Sequence, residues 1–95
     1  MIEFKTKSQV LTSDLVVGTS GRPGYLHAVT VLGSGAAGTA AFHDGTGVTD
    51  TEKWRIATAA AGDSQSISGL NIYFASGIYL NLTTAVVSVE YSGCV

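Results

Sequence analysis

Charge is scarce in this sequence. Asp, Glu, Lys and Arg make up 13% of its 95 residues, with five basic side chains and a formal net charge of −2. An ordinary soluble domain carries roughly 25% charged residues. A nucleic-acid surface needs a cluster of Lys and Arg, and five cations spread from Lys5 to Arg55 do not make one. Cysteine is as rare. The single Cys94 excludes an intrachain disulfide framework and points to a reducing compartment, or to indifference to redox state. No run of apolar residues approaches the ~20 that a membrane helix requires; the longest run of small apolar residues, "IATAAAG" at 56–62, ends in glycine. The opening "MIEFKTKSQ" mixes charged with apolar residues and lacks the apolar core of a secretion signal. Asn81 in "NLT" is accordingly read as a strand residue, not a glycosylated one.

Gly, Ala, Ser and Thr fill the gap, while hydrophobic residues stay at an ordinary 45%. A single small domain is expected. A chain of this size buries only ~60–65% of the surface its unfolded form exposes, so its core is marginal on its own. A neutral, smooth surface suits a protein covered by copies of itself or by a partner.

Strand signals dominate, and helical periodicity is missing. "YLHAVTVL", 25–32, is rich in β-branched and aromatic residues, with apolar residues at both odd and even positions; this predicts a central strand covered on both faces. Pro23-Gly24 before it fits the central pair of a type II turn, and "GSGAAG", 33–38, reads as the next turn. "TAAFHD", 39–44, is a strand. "KWRIATA", 53–59, alternates so that Trp54 and Ile56 point inward and Lys53 and Arg55 outward. The alanines that follow read as a strand end, and "AGDSQS" as a loop. "GLNIYFASGIYLNL", 69–82, is strand-like with a break at Ser76-Gly77. Its second half and "VVSVEY", 86–91, are expected to form a hairpin, with Ile78, Leu80 and Leu82 sharing one face of the first strand and Val87, Val89 and Tyr91 one face of the second. "QVLTSDLVV", 9–17, supplies one or two short strands. About seven or eight strands at this spacing predict an all-β fold, a small antiparallel β-sandwich or jelly-roll-like barrel.

The densest chemistry lies in "AFHDGTGVTDTEKWRI", 41–56. Asp44-Gly45 is a turn signal, and no alternation resumes until Trp54. Residues 43–52 are therefore expected to form an exposed loop of about nine residues in which Asp and Thr cap their own backbone, with Lys53 and Arg55 balancing Asp50 and Glu52. No metal site is expected. Side chains of adjacent strand residues such as His43 and Asp44 diverge, the oxygens lack calcium-loop spacing, and the other histidine, His27, sits mid-strand as a core or interface residue. No nucleophile elbow is visible, and no His or cation stands beside Cys94 in sequence to activate it. The glycines of "GSGAAG" are not followed by a helix that could hold an anion. No catalytic residue, cofactor or enzyme activity is expected.

The layout "FKTKSQVLTSD", then "GYLHAVTVLGSGAAGTAAFHDGT", then "SGIYLNLTTAVVSVEY" resembles small virion proteins of tailed bacteriophages. In these, a polar N-terminal arm precedes a β-sandwich, a strand ends in an "hDGT" pattern and a closing hairpin ends in Tyr. The resemblance covers nearly the whole chain and implies a structural role on the capsid surface of the virion, commonly as a decoration (cement) protein. It transfers no catalytic residues. On this reading residues 1–8 form an arm or edge strand and 9–95 the sandwich. Ile2 and Phe4 alternate with Glu3 and Lys5, a pattern suited to adding a strand to a partner's sheet and equally to an ordinary first strand. The expected partners are copies of the chain, as a homotrimer, and the major capsid protein, with Ile2, Phe4, Lys5 and Lys7 as contact residues. No nucleic acid or membrane is expected. The alternative is a module of a tail or head fibre that binds a receptor or glycan through Tyr25, Tyr73 and Tyr79, each of which also fits a cross-strand packing role.

Overall fold

The computed structural model describes residues 7–33, 38–58 and 62–95. They form nine strands and no helix: β1 (Lys7–Leu11), β2 (Leu15–Val17), β3 (Gly24–Gly33), β4 (Thr39–Asp44), β5 (Thr51–Ala57), β6 (Ser64–Ile67), β7 (Ile72–Phe74), β8 (Ile78–Thr83) and β9 (Ala85–Gly93). All pairings are antiparallel. The first sheet has the order β1-β9-β3-β6, with β7 also on β3, and the second the order β2-β8-β4-β5. The pairs are nested: β1 with β9, β2 with β8, β3 with β6 and β7, β4 with β5. Successive pairs lie in alternate sheets, so the chain is a long folded ribbon rolled into a sandwich, the jelly-roll arrangement.

Leu11, Leu26, Val29, Val31, Phe74, Val87 and Val89 of the first sheet and Val17, Ala40, Phe42, Ile78 and Leu80 of the second are buried in one core. Trp54 and Ile56 of β5 pack against it from the edge, with the Trp54 and Phe42 rings 5.6 Å apart at 43°. The inward setting of Trp54 and Ile56 and the break at Ser76-Gly77 follow the alternation; the short strands expected within 9–17 are β1 and β2, with β1 starting two residues earlier, at Lys7. Gly77 supplies the break with a φ of 113°.

Several local expectations fail, each for a physical reason. The strand 25–32 is central but covered on one face only. Its register with β9 shifts between Leu26 and Ala28, so His27 is the extra residue of a β-bulge. A bulge swaps the parity that faces the core. Leu26 points inward before it, and Val29 and Val31 after it, while Tyr25, Thr30 and Leu32 are exposed. Apolar residues at both parities thus serve one face.

The strands at 78–83 and 85–93 do not form a hairpin. β8 pairs with β2 and β4, and β9 with β1 and β3. The chain crosses from one sheet to the other at Thr84, which takes a φ of 45°. Alternation reports which side of a strand is buried, and that pattern is the same for two strands side by side or facing each other across a core. Among the described strands, β4 and β5 alone form a sequence-local hairpin.

Pro23-Gly24 is not a type II turn either. The positive φ belongs to Gly21, at 77°, and Gly24 opens β3. Gly24 is needed for closeness: a Cβ there would run into the Cys94 side chain and lie 2.8 Å from the Ser92 carbonyl oxygen. Residues 64–66, expected in a loop, belong to strand β6 (Ser64–Ile67). All four of its residues are exposed, so no apolar alternation marks it. The 33–38 turn lies largely outside the described residues.

The bulge makes a sharp prediction. Leu26→Ala should cost ~2–5 kcal/mol of unfolding free energy, whereas Leu32→Ala on the same strand should stay within ~0.5 kcal/mol, both by urea denaturation at low protein concentration. Equal losses would place both leucines in the core and contradict the parity switch.

Candidate interaction surface

The polar stretch resolves into strand, tight loop and strand. β4 runs through Asp44 and β5 begins at Thr51, so the loop is Gly45–Asp50 alone, and His43, Asp44, Thr51 and Glu52 belong to strands. It is shorter than expected because Asp50 closes it: its Oδ2 accepts from the Thr46 N–H at 2.9 Å and the Gly47 N–H at 3.1 Å. Gly45, at φ 153°, leaves room for that carboxylate. Asp44 Oδ1 accepts from the Ser76 N–H at 2.8 Å. Both aspartates are thereby committed to backbone donors.

His43 is not exposed; only 6% of its surface is accessible. Its Nδ1–H donates to the Asp50 carbonyl at 2.9 Å and its ring meets the Tyr79 ring edge-on at 6.1 Å. Its Nε2 is buried without a hydrogen-bond partner. Among the described residues no group of three or more His, Cys, Asp and Glu is arranged to hold a metal ion.

The expected charge balance holds for one pair. Arg55 Nη2 meets Glu52 Oε1 at 2.6 Å, and that hydrogen bond holds the Glu52 carboxyl below its usual range and raises Arg55. Lys53 departs from expectation. It is the extra residue where the β4–β5 register shifts, and its Nζ donates to the Tyr73 carbonyl and sits 5.5 Å from the centre of the Phe74 ring. It ties the edge strand of the second sheet to β7 on the first.

The two outer faces differ. The second sheet carries Glu52 and Arg55. On the first sheet the register brings outward residues into rows: Val10, Ser88, Thr30 and Ser66; Val86, Leu32 and Ser64; Glu90 and Ala28; then Ser92, Tyr25 and Tyr73. Glu90 is the one charge in these rows. Val10 is 66% exposed and Leu32 44%, at the end of the face remote from the tyrosines.

At the other end Tyr25 and Tyr73 are direct cross-strand partners, 5.0 Å apart and tilted at 45°, and the Tyr25 ring lies within 14° of parallel to His27 at 6.4 Å. They are packing partners and exposed at once, at 42% and 45%. Tyr79 is half-buried on the opposite sheet against His43. His27 is held at both ring nitrogens, by Asn71 Oδ1 at 3.2 Å and Ser92 Oγ at 2.7 Å. The sequence offered no sign of this network, since the three residues lie far apart along it and meet only because β7 and β9 flank β3.

Of the arm residues, Ile2, Phe4 and Lys5 lie outside the described residues. Lys7 is exposed and is the first residue of β1, an edge strand paired with β9 opposite Tyr91. No protein-family model matches the chain, and no curated protein or solved structure matches it.

Cys94 is buried. Burial pushes its thiol up, and the charge of Lys7, a cation the sequence did not place beside it, opposes this more weakly. Tyr91 is raised too, by burial first and then by the charge of Cys94. For a raised pKa the stabilisation is complete below the unfolded-state value and is lost as pH rises through the folded one. The melting temperature should therefore fall as pH climbs above ~8.5, the unfolded thiol value, and continue falling past ~10, the tyrosine value. Cys94→Ala should flatten the first part of that slope. An identical slope in the variant would remove Cys94 from the linkage.

Proposed function

We propose that the protein is a structural, non-catalytic subunit of a tailed-phage virion, assembling with copies of itself as a trimer on the capsid surface as a decoration (cement) protein. The observation that carries this reading is the outer face of the first sheet, where Val10, Leu32 and Val86 lie among Ser64, Ser66, Ser88 and Thr30 with Glu90 the single charge in these rows. Exposed aliphatic residues set among uncharged polar ones favour contact with protein. Burying such a face stabilises at ~25 cal/mol per Å², which a small core needs. Jelly rolls serve in viral capsids and in lectins; that support is an analogy of fold, not of site.

Capsid lattices present threefold junctions, and a closed ring fits one with a single repeated contact. The N-terminal arm supplies the docking: Ile2 and Phe4 lie on the shell while Lys5 and Lys7 meet an acidic capsid surface. Lys7 is the first residue of β1, at the end of the first sheet's strand order, and an edge strand suits addition to a partner's sheet.

Sedimentation equilibrium should give a trimer that Val10→Asp with Leu32→Asp dissociates. Deleting residues 1–6 should leave the trimer intact and abolish binding to purified heads, which then rupture more readily. A truncated protein that decorates heads at full occupancy would remove the arm from the reading, and a wild-type protein found only in tails or fibres would remove the cement role.

A further inference from the structure

The aromatic end of the first sheet has the makings of a ligand site that the assembly reading does not use. Tyr25 and Leu32 pair with Ser92 and Val86, six residues apart on β9, about 20 Å at ~3.4 Å per strand residue, so a contact centred on Val10, Val86 and Leu32 leaves the tyrosines free. Two irregularities build this corner. The bulge at His27 faces the interruption between β6 and β7, and the Leu70 N–H bonds the His27 carbonyl at 2.9 Å across the gap. Bulges re-aim side chains and are common beside functional sites. Here they bring Tyr25 and His27 of β3 and Tyr73 of β7 together with Asn71, the residue just before β7.

The groups are held in place beforehand. Lys53 holds the Tyr73 carbonyl from the other sheet, and Phe74 next to it is fully buried. Asn71 Oδ1 accepts from the His27 Nδ1–H, and the other ring nitrogen, Nε2, is hydrogen-bonded to the Ser92 hydroxyl. With its oxygen committed, Asn71 offers its Nδ2 amide protons as donors. Two half-exposed aromatic faces lie beside an exposed amide; among the described residues no Lys, Arg, Asp or Glu is bonded to or stacked on the Tyr25, His27 and Asn71 side chains, and Lys53 reaches only the Tyr73 backbone carbonyl, which suits a ligand with apolar C–H patches and hydroxyls and no charge.

We propose that this corner binds a neutral pyranose glycan, a sugar ring packing on Tyr25 and Tyr73 and a hydroxyl oxygen accepting from the Asn71 amide. A peptide strand is a poorer fit, because β7 covers the β3 edge here and the Tyr73 carbonyl of β7 is already taken by Lys53, and a nucleic acid is disfavoured for want of a cation cluster.

The test uses the full chain with maltohexaose, cellohexaose and chitohexaose as probes, by saturation-transfer NMR and calorimetry. At least one should bind, and Tyr25→Ala and Tyr73→Ala should each weaken it roughly tenfold, the equivalent of ~1.4 kcal/mol. Asn71→Ala should weaken it less, and Tyr79→Ala, on the other sheet, should not change it. Circular dichroism of each variant guards against misfolding, and Tyr25→Phe and Tyr73→Phe, which keep the rings, should retain binding. No binding of any probe at millimolar concentration would overturn the proposal. So would binding insensitive to Tyr25 and Tyr73, or tyrosine variants that change only the oligomer, which would show a second copy covering the corner. None of these outcomes depends on where in a virion the protein resides.

Discussion

The ladder between β3 and β9 is the constraint on which the remaining structure depends. It joins Gly24–Gly33 to Ala85–Gly93, the two longest strands, along nearly their whole length. β1 attaches to the far edge of β9, and β6 and β7 to the far edge of β3, so without this ladder there is no first sheet and no floor for the core. Its partners are about sixty residues apart in sequence, a closure whose entropy must be offset by the apolar area the two sheets bury together. At one end the ladder closes so tightly on Gly24, Ser92 and Cys94 that only glycine fits at position 24.

The bulge at His27 turns this ladder from a uniform wall into a surface with two ends. Before it, Leu26 faces the core and Tyr25 the solvent; after it, Val29 and Val31 face the core and Thr30 and Leu32 the solvent. One inserted residue therefore creates an aliphatic end and an aromatic end on a single sheet. It also places His27 where Asn71 and Ser92 can hold both its ring nitrogens. A regular strand would have sent Leu26 and Leu32 to the same side and left no such corner.

The few charges are spent locally. Asp44 and Asp50 accept from backbone donors, Glu52 pairs with Arg55, and Lys53 bridges the sheets. These stay on the β4–β5 side of the sandwich, and the outer face of the first sheet is left almost neutral. Composition foresaw a smooth, uncharged surface somewhere; the register decided which face it is.

What the sequence determined by itself is the class of object: strands in place of helices, a small sandwich without disulfides, and the inward setting of Trp54, Ile56, Ile78, Leu80, Val87 and Val89. These follow from period-two alternation and from scarcity of charge, which are local properties. The β4–β5 hairpin was legible for the same reason, since Asp44-Gly45 marks a turn between neighbours. Tertiary structure decided everything that needs two distant segments. Nested pairing sent β8 and β9 to different sheets although their alternation is that of a hairpin, and β6 became a strand because β3 offers it a ladder, not because its exposed residues ask for one. The bulge reversed the parity of β3, and the approach of Cys94, not a turn, is why residue 24 is glycine. His27, Asn71 and Ser92 meet for the same reason. Alternation encodes which side of a strand is buried; which strand lies beside it is set by the core that all of them share.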